Sequence, residues 1–317
     1  MDFIGKSTSG VLDIETQGKE IIDGVAGESV ALKAFTRLPD MASSQHSVPV
    51  ATQLAQAKFV SAEGGKKSSS VAKWEKKTLV AEEVAVIIPV SEQILEDTNY
   101  DIFGQLNKQV VEAFGQAIDN AVFYGEGSPT SWGAGIVPTA KTAGKKVDLS
   151  ANLYQDIMGE DGLIAKVEES GYFVDGFYSA IGTRAKLRGL VGTDKMPIFV
   201  QNMKDTTAPY TLDGSPLYFN RNGALLGNGT NKDLLVAGDF KQAVYSIRQD
   251  VRWELHKTGV LTDDDGAIVL NALEQDLVFI RFVMRLGWAL PNPVNRVDES
   301  EDRYPFAVLI GEDSISA

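Results

Sequence analysis

The chain of 317 residues has no cysteine and only two histidines, His46 and His256. Without cysteine it can form no disulfide, no thiolate nucleophile and no cysteine zinc site. The two histidines stand far apart in the sequence, so a histidine metal cluster or a serine–histidine triad would each lean on one or two isolated residues. Several common kinds of enzyme site are therefore disfavoured by composition alone.

Long hydrophobic runs are also missing. No apolar stretch approaches the roughly 20 residues needed to cross a bilayer, and the N-terminal MDFIGKSTSG lacks the basic and apolar regions of a signal peptide. We therefore expect a protein that is made and kept in a cytoplasm, with no membrane partner. The hydrophobic content of 44% is normal for a chain with a sizeable core, and the length suits two domains or one elongated unit with an insertion.

Positive charge is scarce, because 30 lysines and arginines face 43 acidic residues and leave a net charge of −13. Proteins that grip a phosphate backbone gain affinity when clustered Lys and Arg side chains release its counterions. An acidic chain of this kind is not expected to bind nucleic acid tightly.

Motifs for cofactors fail on spacing. The glycine–lysine pairs 18–19 and 144–145 stand at the wrong distance from the preceding glycine for a phosphate-binding loop. The acidic run 263–265 before Gly266 suggests a calcium loop, but Leu261 would occupy the first ligand position, where a carboxylate is needed. A polar turn is favoured there. We expect no catalytic, cofactor-binding or metal site.

One stretch has clear helical periodicity, from Ile102 to Phe123. Apolar residues recur at spacings of three and four, which predicts one helix about 33 Å long. Asp101 can cap its first turn, and Gly125 with Gly127 can end it. The predicted buried face includes Leu106, Val110, Phe114 and Ala117.

The order of motifs around this helix resembles that of tailed-bacteriophage major capsid proteins of the Hong Kong 97 type. The resemblance covers roughly residues 20 to 297 and rests on an ordered set of short motifs. These are Val48 to Val50, EEVAVIIPV, the short SEQILEDT ahead of the long helix, Tyr124-Gly125-Glu126-Gly127, Gly135-Ile136-Val137, Gly214 to Pro216, Gly238 to Phe240, and Phe279 to Pro293.

The resemblance implies an α+β fold of the Hong Kong 97 type, with a spine helix, a peripheral domain and an inserted axial domain. Its parts map onto this chain as an N-terminal arm (1–45) that crosses a neighbouring subunit, an extended β-hairpin loop (46–80), a peripheral domain with the spine helix (81–137), an axial domain (138–237), return strands (238–297) and a C-terminal extension (298–317). The strand-like YPFAVLI in the last part could add to a neighbour or close its own sheet, and the second is favoured.

Five residues are candidates for assembly contacts: Lys66, Lys67, Trp74, Arg281 and Arg285. The resemblance implies that the hairpin lies over an adjacent subunit, while a solvated edge protected by lysines is an equal alternative for its tip. The two arginines stand four apart in a strand-like segment and are expected to form an ion pair at a subunit or domain contact.

Part of the capsid family joins a lysine of the extended loop to an asparagine of a neighbouring subunit, assisted by a buried glutamate. Counted back from Arg285, the asparagine position falls near Asp276 and the glutamate position near Val283. Neither residue matches, so we expect no self-crosslinking through Lys66 or Lys67.

The resemblance implies a major capsid protein that forms pentamers and hexamers of an icosahedral shell around double-stranded DNA. Such a shell needs no sequence-specific contact with DNA, which suits the acidic charge. Implied partners are a portal protein and decoration or minor capsid proteins, in a virion made in the bacterial cytoplasm. A separate scaffolding protein is also expected, with prior removal of a leader segment as the alternative. An encapsulin-like compartment shell is the alternative, and a soluble α+β enzyme is disfavoured because its motifs are missing.

Overall fold

In the computed structural model, a long helix lies between two β-sheets. The structure describes residues 24–25, 28–60, 67–93, 102–150, 152–189, 210–220, 222–224, 233–263, 265–300 and 302–311. The helices of this part are α1 (Val30–Ala34), α2 (Ile102–Asp119), α3 (Ile136–Thr142), α4 (Leu153–Met158), α5 (Leu163–Glu168), α6 (Thr183–Arg188) and α7 (Ala272–Gln275). The strands are β1 (Thr36–Arg37), β2 (Gln45–Gln53), β3 (Lys73–Val80), β4 (Glu82–Ser91), β5 (Lys146–Asp148), β6 (Gly176–Ala180), β7 (Thr211–Leu212), β8 (Ser215–Asn220), β9 (Asp233–Gly238), β10 (Val244–His256), β11 (Val260–Thr262), β12 (Ile268–Asn271), β13 (Leu277–Ala289) and β14 (Phe306–Ile310).

The helix predicted from periodicity is present as α2, and a π-helical turn, Asn120–Tyr124, continues it. Val110 and Phe114 are buried and Leu106 is half-buried, but Ala117 is exposed, which corrects its predicted place in the buried face. Glu28 and Ser29, just ahead of α1, pack against Gly115 of the long helix. Gly115 and Ile118 are therefore buried, whereas Ala117 is exposed. Asp101 lies outside the described residues.

A four-stranded sheet in the order β1-β10-β13-β4 packs on the long helix. β13 pairs antiparallel with β10 and β4, and β1 pairs parallel with β10. Ile280, Phe282 and Met284 alternate along β13 and share one core with Val110 and Phe114. The alternate residues of β13 therefore face away from the helix, as the two-residue period of a strand requires.

The second sheet has six strands in the order β5-β14-β9-β6-β8-β7. One face carries Tyr178, Val236 and Phe306 into the core of the long helix. The other face has its own core, which includes Leu163 of α5 and Leu187 of α6. The long helix and the six-stranded sheet thus share one continuous hydrophobic core.

The segment 28–45, which is part of the stretch predicted as an N-terminal arm, packs on its own subunit. Val30, Leu32 and Phe35 are buried in the core of the long helix, and β1 extends the four-stranded sheet. These apolar side chains would be costly to leave in water, and the chain's own core is the surface that covers them. Residues 1–23 lie outside the described part.

The last strand also belongs to its own subunit. β14 lies inside the six-stranded sheet between β5 and β9, and Phe306 and Val308 are fully buried. The stretch 298–317 was predicted as an extension, but 306–310 is an interior strand, so the alternative that it closes its own sheet is correct. Because β14 comes 68 or more residues after β9 in the chain, its pairing is a long-range contact that local pattern does not specify.

Candidate functional site

The hairpin β2–β3 is fixed at its base by the core of its own chain. Leu79 is fully buried in a small cluster that includes Met41 and Ala289. The indole Nε1–H of Trp132 donates to the carbonyl oxygen of Val80 at 3.0 Å. These contacts give the hairpin a defined exit direction from the body of the subunit.

Beyond its base the hairpin is exposed. Phe59 is fully solvent-accessible and Trp74 is 66% exposed. Lys67 is also exposed, while Lys66 lies outside the described residues. The described residues 54–60 and 67–72 lie outside the β2–β3 ladder, and Arg296 donates to the carbonyl oxygen of Ala55 in this part at 2.7 Å. Two aromatic rings in water are unfavourable and mark this half of the hairpin as a surface that another chain can cover.

Arg281 and Arg285 lie on the face of β13 that points away from the long helix. The guanidinium of Arg281 binds the carboxylate of Glu254 on β10 at 2.7 Å. Within the subunit, Arg281 thus forms an ion pair inside one sheet, and the predicted ion pair at a subunit or domain contact stays a prediction. Arg285 is half-buried and stands opposite Glu83 of β4. Because both partners of the Arg281 pair are partly exposed, the pair is worth at most about 1 kcal/mol.

Asp263, Asp265 and Gly266 belong to a turn. Asp263 accepts hydrogen bonds from the backbone amides of Asp265 and Ala267, at 3.1 and 2.8 Å. Gly266 has a φ of 82°, which favours glycine. This geometry is the polar turn that the sequence favoured. Among the described residues, no group of three metal-ligating side chains is close enough to hold an ion.

The most buried charge of the described chain is Asp119, at the end of α2. Its side chain is inaccessible to solvent and accepts hydrogen bonds from Ser29 Oγ, the amides of Val30 and Ala31, and Asn222 Nδ2. Burial raises the pKa of this carboxyl above its ordinary value, and the four donors oppose that rise. Sequence reasoning missed this site, although an aspartate inside the apolar run AIDNAVF was its signal.

The exit of the long helix depends on two glycines that touch. Gly125 has a φ of 72° and Gly135 a φ of 84°. A Cβ on Gly125 would stand 2.5 Å from the carbonyl oxygen of Ala134, and one on Gly135 would stand 2.6 Å from the amide nitrogen of Gly125. Only glycine allows both the left-handed backbone and this close crossing. These glycines belong to the motifs on which the resemblance rests.

Comparisons with known proteins agree on one class, the capsid protein. A solved chain from Microbacterium phage Oxtober96 is 29% identical, covers 90% of this chain and 91% of its own length, and superposes with a TM-score of 0.73. A structure described as the capsid of a native GTA particle is 14% identical with a TM-score of 0.55, covers 98% of this chain and 95% of its own length, and shares the fold. The curated major capsid protein of Staphylococcus phage 80alpha is 26% identical over 231 residues, which are 71% of this chain and 65% of that relative's length.

The family model of the phage capsid family matches residues 10–294. The chain therefore belongs to the phage capsid family, as its motifs predicted. This is a family of structural proteins and not a class of enzymes, and its members are components of the virion. The family match and the phage relative do not favour the encapsulin-like alternative. Within the described residues, none of the helices has the length and hydrophobicity to cross a membrane.

Proposed function

We propose that this chain is the major capsid protein of a tailed phage and assembles into pentamers and hexamers of an icosahedral shell. The family match over residues 10–294 supports the class of function. In this proposal, the six-stranded sheet with α4 to α6 is the axial domain, and the four-stranded sheet with α2 is the peripheral domain. Contacts between unlike surfaces of identical subunits close into rings, which is the symmetry that such a shell requires.

The exposed half of the hairpin is the single observation that carries the assembly proposal. The subunit buries its long helix, its arm segment and its last strand within itself, yet leaves Phe59 and Trp74 in water. A projecting two-stranded hairpin is marginal in water unless it lies on another surface. In a shell of many copies, the neighbouring subunit supplies that surface. Trp74 and Lys67 are accordingly proposed as assembly contacts. Lys66, Arg281 and Arg285 are also proposed as assembly contacts, on the basis of the sequence alone.

The negative charge of the chain supports a shell that encloses DNA without binding it. With a net charge of −13, the wall would repel the phosphate backbone, so the shell encloses double-stranded DNA by closure and without sequence-specific binding. A portal protein, a separate scaffolding protein and a decoration or minor capsid protein are proposed partners, and the bacterial cytoplasm is the proposed place of synthesis. Non-covalent overlap is proposed to hold the shell, because Asp276 and Val283 stand where cross-linking relatives would need other side chains.

Shortening the hairpin tests the proposal. Gln53 pairs with Lys73 at the end of the ladder, so an Asn-Gly turn can replace residues 54–72 while Leu79 keeps its anchor. The shortened chain should be soluble and folded but should form no closed particles, whereas the full chain forms them with its scaffold. Electron microscopy of negatively stained samples measures this.

Trp74→Ala is the matched single-residue variant, because it removes an exposed ring and leaves the turn intact. It should lower particle yield without lowering the free energy of unfolding of the subunit. Normal particles from the shortened chain would show that the hairpin is not an assembly surface.

A further inference from the structure

The carboxylate of Asp119 binds two segments that are far apart in the sequence. On one side, Ser29 Oγ donates at 2.7 Å, and the amides of Val30 and Ala31 donate at 3.1 and 3.0 Å. On the other side, Asn222 Nδ2 donates at 2.9 Å. All four partners donate in this arrangement, which suits an ionised carboxylate; the Ser29 hydroxyl is the one group among them that could also accept. The long helix thus holds α1 and the turn after β8 through one pair of oxygens.

The orientation of Asn222 is fixed by its own neighbours. Its Oδ1 accepts a hydrogen bond from the amide of Ala224 at 3.1 Å, so its Nδ2 is the atom that faces Asp119. The backbone amide of Asn222 donates to Asn220 Oδ1 at 2.8 Å. Asn220 Nδ2 in turn donates to the hydroxyl of Tyr178 at 3.0 Å. The network therefore runs without a break from α1 through the end of α2 to strands β8 and β6 of the six-stranded sheet.

The network is closed to solvent. Ser29 and Asp119 are fully buried, and Asn220 and Asn222 are nearly so. Asn222 Nδ2 also lies 3.5 Å from the carbonyl oxygen of Glu28, which brings the two bound segments within reach of each other. If either segment unfolded locally, the buried carboxylate would keep only part of its donors. A buried ionised group without its donors is costly, so local unfolding of one segment weakens the binding of the other segment to Asp119.

We propose that Asp119 couples helix α1 and the turn 222–224 into one cooperative unit, so that neither opens alone. The position of α1 is thereby tied to that of the six-stranded sheet. We call the Asp119 carboxylate with its four donors the joint. This inference goes beyond the proposed function, because it concerns coupling inside one subunit and holds whether or not the chain assembles.

Hydrogen exchange of the full chain, read by NMR or mass spectrometry, tests the joint. The amides of Lys33 and Phe35 report on α1, because they donate to the carbonyl oxygens of Ser29 and Ala31. The amide of Ala224 reports on the turn. Asn222→Ala removes the donor on the turn side, and Ser29→Ala removes a donor on the α1 side.

Removing a donor on one side of Asp119 should speed amide exchange in the segment on the other side. Asn222→Ala should speed exchange at Lys33 and Phe35 by about tenfold or more, although it leaves the hydrogen bonds of these amides intact. Ser29→Ala should do the same at Ala224. Ser179→Ala is the control, because Ser179 is an equally buried serine of β6 that bonds the carbonyl of Leu234 and does not touch Asp119.

Two results would overturn the joint. If Asn222→Ala leaves exchange at Lys33 and Phe35 at the wild-type rate, α1 is held by its apolar contacts alone. If Ser179→Ala speeds exchange at the same amides as much as Asn222→Ala does, the effect is a general loosening and not a coupling through Asp119. Exchange is compared after circular dichroism has shown that each variant is folded, because breaking a buried hydrogen-bond network can be strongly destabilising.

Discussion

At the residue scale, Phe114 carries more of the fold than any exposed position of the long helix can. Its ring is 2% exposed and belongs to the core that also holds Phe282 and Met284 of β13. Deleting a buried ring loses its transfer free energy and leaves a cavity that surrounding side chains fill only in part. Ala117, three residues further along the same helix, is exposed and makes no such contribution.

Phe114→Ala should therefore lower the free energy of unfolding of the unassembled subunit by about 3 to 5 kcal/mol. Ala117→Ser is the matched control on the same helix and should change it by less than about 0.5 kcal/mol. Denaturant unfolding followed by circular dichroism measures both. A Phe114→Ala effect as small as that of the control would mean that the long helix does not pack through this face.

At the element scale, the end of the long helix combines buried side chains with a close crossing of the backbone. The π-helical turn buries Ala121, Val122, Phe123 and Tyr124 in succession, which an amphipathic helix does not do. Phe123 stacks on Tyr178 of the six-stranded sheet, with ring centroids 4.3 Å apart. The chain then has to turn sharply out of the core, and Gly125 crosses the Ala134–Gly135 backbone to do so.

Gly125→Ala should lower the free energy of unfolding by at least about 3 kcal/mol, because the new methyl group meets the backbone of Ala134 in addition to straining the left-handed φ. Gly127→Ala separates the two effects. Gly127 also has a positive φ, of 65°, but open space surrounds its Cβ position, so its cost should be the left-handed strain of about 1 to 2 kcal/mol. Equal effects in the two variants, measured by thermal and denaturant unfolding, would argue against the close crossing.

At the scale of the whole molecule, three buried phenols lie where the six-stranded sheet meets the exit of the long helix. Burial raises the pKa of Tyr124, Tyr178 and Tyr304 above the ordinary value of 10.0. Each phenol therefore stays neutral in the folded subunit at a pH where it ionises in the unfolded chain. The stability that this provides is fully present below pH 10 and is lost as pH rises above 10 towards the folded pKa.

The free energy of unfolding should accordingly fall as pH rises above the ordinary tyrosine pKa of about 10. Tyr124→Phe should make that fall shallower. The hydroxyl of Tyr124 is buried and has no hydrogen-bond partner in the described part of the chain, so its removal should also raise stability at neutral pH by up to about 1 to 3 kcal/mol. Urea unfolding of both proteins across this rise in pH is the measurement, and identical slopes would contradict the assignment.

The sequence determined the class of this protein and its longest element. Periodicity over Ile102 to Phe123 is a local property, and the turn at Gly125 needs a residue without a Cβ, so both could be predicted without knowledge of the rest of the chain. The ordered motifs gave the family, which the match over residues 10–294 shows. The alternation along Val244 to Leu255 was likewise a local signal, because a strand with one buried face has a two-residue period.

Only the tertiary structure decided what the ends of the chain do. Val30, Leu32 and Phe35 predicted that the arm segment docks on something, but the surface that covers them is formed by residues of α2, β10 and the six-stranded sheet. The place of β14 between β5 and β9, the exposure of Ala117 and the donors around Asp119 have the same origin. Each depends on contacts between residues separated by many positions, and hydrophobic patterning states that a side chain will be buried without stating which partner will bury it.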